Sequence, residues 1–111
     1  MNIDADTIAR IDATLLPQRD RHHLRLLAHC LSSFRDMSSD VDGALPNAAL
    51  RRQWCEQQPV VADDPQFLTL LLDQLNNAAQ QLQEVADTCS KAPLDLSLDD
   101  LIAAAERRCR S

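Results

Sequence analysis

PQFLTLLLDQLNNAAQQLQEVADTC, residues 65–89, decides the fold. Leu68, Leu71, Leu72, Leu75, Ala78, Ala79, Leu82, Val85, Ala86 and Cys89 take positions a, d and e of successive heptads, with no charge among them. Side chains three and four residues apart lie above one another on a helix, so these ten form one stripe. A helix over this stretch is about 37 Å long at about 1.5 Å per residue. Water is a poor cover for so long an apolar stripe, and neighbouring helices are expected to bury it. Asn76, Asn77, Gln80, Gln81 and Gln83 form its expected exterior.

The partner for that stripe lies upstream. From Pro17 to about Met37, Leu24, Leu27, Ala28, Leu31 and Phe34 repeat the a, d, e pattern, and Leu26, Cys30 and Met37 widen the apolar arc. A helix apolar over so wide an arc touches two neighbours. Helices at about 17–37 and 65–90 are therefore expected to be the core pair, directed oppositely within one chain. Before them, Ile8, Ile11 and Leu15 mark a short amphipathic helix that Pro17 stops.

Between the long helices, SSDVDGALP at 38–46 has turn residues and no period, so it reads as a loop. Its Asp40, Asp42 and Gly43 imitate part of a calcium loop. The first ligand position would be Ser38 and the last Ala49, so the required carboxylates are missing. Pro46 is expected to open a thin helix to about Gln58, with Leu50 and Trp54 inward and Arg52 and Glu56 paired outward. Val60 and Val61 are expected in extended form. Asp64 and Pro65 then read as N-cap and first-turn proline of the heptad helix. A last helix begins at a capping box, Ser97 with Asp100, flanked by Leu96 and Leu101 as a hydrophobic staple. Leu98, Leu101, Ile102, Ala105 and Cys109 form its expected inner face, while Arg107, Arg108 and Arg110 suit the negative end of its dipole.

The sum is an all-α fold, a compact bundle of four to five helices in a single domain spanning residues 1–111. Composition agrees. The 111 residues suffice for one core without staples, and 45% hydrophobic content is built mainly from Leu and Ala, with two Phe, one Trp and one Gly. The formal net charge of −6 repels nucleic acid and anionic lipid, which points to protein partners and away from nucleic acid or membrane. Arg51 and Arg52 alone are a thin basis for a DNA-reading helix. The acidic start MNIDADTIARID is unlike a signal peptide, so a cytoplasmic location is expected.

No pattern of chemistry stands out. Cys30, Cys55, Cys89 and Cys109 form no CxxC pair, and free thiols are expected. His29 and Cys30 are adjacent and so point about 100° apart on a helix, which prevents them acting as base and nucleophile. No His or Cys has a partner at metal-binding helical spacing, and a single Gly excludes a phosphate-cradling loop. An enzyme is not expected, nor a cofactor.

What remains is a non-enzymatic protein–protein interaction module: an adaptor, assembly factor or regulatory subunit. Arg21, His22, Arg25 and His29 share one helical face and form a cationic ridge, either a solvated face or a dock for an acidic segment. His23 falls on the apolar side, the place of a hydrogen-bonded interfacial histidine. Phe67 and Leu70 lie at or beyond the edge of the heptad stripe, a second contact surface and a motive for homodimerisation as an alternative to a monomer. The alternative function is a small-molecule, cofactor or metal sensor, with a site between helices near His23, Cys30, Trp54 and Cys55.

Overall fold

A computed structural model describes residues 5–37 and 43–110 of the chain. These hold six α-helices and one 3-10 turn: α1 (Ala5–Asp12), α2 (Gln18–Met37), α3 (Ala48–Glu56), α4 (Pro59–Asp63), α5 (Phe67–Cys89), the 3-10 turn Pro93–Asp95 and α6 (Leu98–Arg110). The fold is all-α, with α2 and α5 at its centre. Every expected stripe residue of α5 joins the core, Leu75, Ala78, Ala79, Leu82 and Ala86 as buried members and the other five packed against them. From α2 come Leu24, Leu27, Ala28, Cys30, Leu31 and Phe34.

Two side-chain bonds set the order of residues across this pair. His23 bonds Gln81 at 2.5 Å, and Cys30 bonds Gln74. As α2 advances from 23 to 30, its partner on α5 retreats from 81 to 74, the order that opposite chain directions produce. Gln81 is consequently not an exterior residue but a half-buried member of the interface.

Several boundaries differ from those read in the sequence. The described residues hold six helices rather than four to five, because Pro59–Asp63 closes a turn of helix where the sequence implies Val60 and Val61 extended. Pro59 supplies the fixed φ of a first-turn position, and Val61 is buried on the inner side. The third helix starts after Asn47, whose side chain accepts from the Leu50 N–H at 2.9 Å. That cap, rather than Pro46, sets its beginning. On the same helix Leu50 is 39% exposed, and Cys55 is fully buried beside the half-buried Trp54.

The heptad helix begins at Phe67, not at Pro65. The Asp64 carboxylate accepts from Gln66 N–H two residues on and its carbonyl from Phe67 N–H, so it shapes a turn ahead of the helix instead of capping it. At the other end of the chain, α1 stops at Asp12, where Thr14 Oγ bonds the Ile11 carbonyl and Arg21 of α2 bonds that of Asp12. This break in phase turns Leu15 out to solvent, 101% exposed, and brings Leu16 inward. Cys109 likewise lies exposed rather than on the inner face of α6.

The start of α6 follows the sequence closely. Ser97 N–H donates to Asp100 Oδ2 at 2.9 Å and Asp100 N–H to Ser97 Oγ at 3.2 Å, both halves of the capping box. Leu96 and Leu101 are buried beside it. Of the 38–46 loop, residues 38–42 lie outside the described residues, and with them Asp40 and Asp42. Gly43 is held against the α5–α6 connection, its carbonyl accepting from Leu94 N–H at 2.9 Å. Arg35 clasps the same connection, donating to the carbonyls of Leu94 and Leu96 at 3.0 and 2.5 Å.

Candidate functional site: the cleft between α2, α5 and α6

Where α6 crosses the ends of the core pair, it leaves a cleft of about 210 Å³. Sequence dictates the gap. The α6 wall is the short side chains of Ala104 and Ala105, Leu24 and Leu27 of α2 and Val85 of α5 line the other sides, and Leu101 closes the floor. The His23–Gln81 hydrogen bond also lies on its lining. Gln81 Oε1 only accepts, so the His23 Nε2 carries the proton. His23 is thereby the hydrogen-bonded interfacial histidine that its place on the apolar side of α2 implies.

Charged groups ring the mouth. Asp20 comes from α2, Glu84 from α5, and Arg107 and Arg108 from α6. Asp20, Glu84 and Arg107 form no side-chain ion pair among the described residues. Their alignment with one apolar floor was not legible in the sequence, because they sit on three helices and the crossing brings them together.

The cationic ridge is engaged within the chain. Arg25 pairs with the Asp12 carboxylate at 3.5 Å and Arg21 donates to the Asp12 carbonyl at 3.3 Å, so both fasten the end of α1. A guanidinium beside that carbonyl also complements the negative end of the α1 dipole. His22 faces solvent and His29 is half-buried. Phe67 and Leu70, one turn apart, stand 43% and 65% exposed at the start of α5, close in sequence to the exposed Val60 of α4.

The four thiols are free, and the two deepest are inert. Burial pushes Cys30 up to about 11 against the opposing Gln74 hydrogen bond, and burial, joined by the Glu56 charge, pushes Cys55 up as well. Neither carries a thiolate at neutral pH. His23 is two turns, about 10 Å, from Cys30 along α2 and bonds Gln81 instead. Among the described residues no group of three or more His, Cys, Asp or Glu side chains is placed to hold a metal ion, so His23, Cys30 and Cys55 do not converge as ligands. Nor is any helix among them long and apolar enough to cross a membrane.

The family model described as "NDH complex assembly factor CRR9" matches residues 3–111, essentially the whole chain. No match was found among curated proteins or solved structures. The chain belongs to the CRR9 family.

Proposed function

From this membership we propose that the chain is a non-enzymatic assembly factor, binding a protein component of an NDH complex while that complex is put together. The match over residues 3–111 carries the reading, because it spans every helix rather than one short motif. The packing supports it. Potential nucleophiles at Cys30 and Cys55 are buried and neutral, and the cleft presents an apolar floor ringed by opposite charges, the composition of a contact surface.

The exposed Phe67 and Leu70 offer a second contact, with self-association as one use and the client subunit as the other. Of the ridge residues, His22 and His29 remain for a partner while Arg21 and Arg25 hold α1. With its net charge of −6 the chain suits an aqueous compartment such as the cytoplasm, meeting the complex from outside the bilayer. The deciding experiment is deletion of the gene followed by native electrophoresis of the NDH complex. Loss of the full complex with accumulation of partial assemblies, restored by the wild-type chain, is the expected result. An unchanged complex in the deletion strain would remove the reading.

A further inference from the structure

We propose that the cleft between α2, α5 and α6 is the anchor point for one segment of the protein partner. The segment presents an apolar side chain of Leu or Met size, with a basic residue to one side and an acidic residue to the other. The inference rests on the assembly-factor reading and deepens it by stating what the client must offer.

Volume favours a side chain over a drug-sized ligand. Sites for drug-sized ligands run from about 300 to 1,000 Å³, whereas this cleft of about 210 Å³ suits one or two aliphatic side chains. The floor of Leu24, Leu27 and Leu101 gives such an anchor an already dry surface, and few rotamers are frozen because the walls are Ala104 and Ala105.

Charge then sets the flanks. Asp20 and Glu84 line the cleft from two different helices and form no side-chain ion pair among the described residues, so both favour a Lys or Arg beside the anchor. Arg107 stands on the α6 side and takes an acidic residue. With the acids on α2 and α5 and the arginine on α6, charge also favours one direction for the segment, since the reversed orientation puts like against like. Polar groups at the rim add selectivity while the apolar anchor supplies the affinity.

The test uses the full chain and overlapping synthetic peptides covering the subunits of the NDH complex, with binding read by fluorescence anisotropy. Ala104→Trp fills the cleft, and the double variant Asp20→Lys, Glu84→Lys inverts one wall while leaving the floor intact. The expected result is a peptide that needs both its apolar and its basic residue, and whose binding weakens about tenfold or more in either variant. If Ala104→Trp fails to fold by circular dichroism, the charge-reversal variant decides alone. Peptides that bind the variants as well as wild type, or the absence of any binding peptide, would overturn the inference. So would a small molecule retained in the cleft and seen by native mass spectrometry. An NDH complex lost in the deletion strain but rescued fully by both variants sinks this inference alone, whereas a complex unaffected by deletion sinks the assembly reading first.

Discussion

The Nε2–H of His23 donates to Oε1 of Gln81 at 2.5 Å, tying α2 to α5 beside an otherwise apolar floor. Both groups are half-buried, so breaking the bond leaves a donor or an acceptor short of a partner. Gln81→Ala should lower unfolding free energy by about 0.5–1.5 kcal/mol in urea titrations. In a double-mutant cycle, adding His23→Ala should cost less than it does alone. Strict additivity would show that the bond contributes nothing.

Asp100 shows how one acid can serve two neighbours. Its carboxylate takes the Lys91 ammonium at 2.7 Å and the Ser97 N–H at 2.9 Å, and Lys91, then Ser97, hold it down from 3.8 to about 2. A depressed pKa in the folded state stabilises above the ordinary value and is lost as pH falls through the folded one. The advantage of wild type over Asp100→Asn should therefore be full at neutral pH and fade between 3.8 and about 2. Thermal melts of both proteins across that range check it, and a pH-independent difference would contradict it.

Ser90 ends α5 in the left-handed region, at φ 56° and ψ 43°. Lys91 N–H reaches back to the Ala86 carbonyl at 3.0 Å, the long bond of a Schellman end. A side chain is strained there and glycine is not, so Ser90→Gly should leave stability unchanged or raise it by up to about 1 kcal/mol, despite the added freedom of the unfolded chain. A loss larger than about 1 kcal/mol in chemical denaturation would contradict the assignment.

Gly43 presents the reverse case. Its φ is +78°, and a Cβ there would stand 2.8 Å from the Cβ of Ala92. Gly43→Ala combines left-handed strain with a collision against the α5–α6 connection and should cost about 1–3 kcal/mol. Amide hydrogen exchange at Leu94, whose N–H bonds the Gly43 carbonyl, should accelerate more than exchange in the middle of α5.

Thiol chemistry gives a direct reading of burial. Cys109 is exposed and should react first with a disulfide reagent in the native protein, while Cys30 and Cys55 should resist until denaturant is added. Rapid native labelling of Cys30 would contradict the packing of α2 on α5.

Local patterns with strong spacing were legible in advance. All ten residues of the α5 stripe and the full face of α2 entered the core, and the Ser97–Asp100 box and the Arg52–Glu56 pair formed as their spacing implied. Periods and caps are properties of neighbouring residues, set by helix geometry before any long-range contact forms. The departures gather where helices begin or end, and at Gln81, whose partner comes from another helix. Leu15 and Cys109 continue the apolar spacing of their helices yet lie exposed, Leu15 because α1 stops at Asp12 and Cys109 because it stands in the last turn of α6.

The amino-acid sequence by itself determined that this chain is an all-α helical bundle and which faces of its long helices are buried, because both follow from the period of neighbouring residues. Tertiary structure alone decided that Gln81 turns inward to His23, that Arg21 and Arg25 hold Asp12, and that Arg35 clasps the connection before α6. It also decided that Asp20, Glu84 and Arg107 ring one cleft. Each of these depends on how helices far apart in sequence cross, and the crossing is set by interlocking side chains from both surfaces, not by the period of either one.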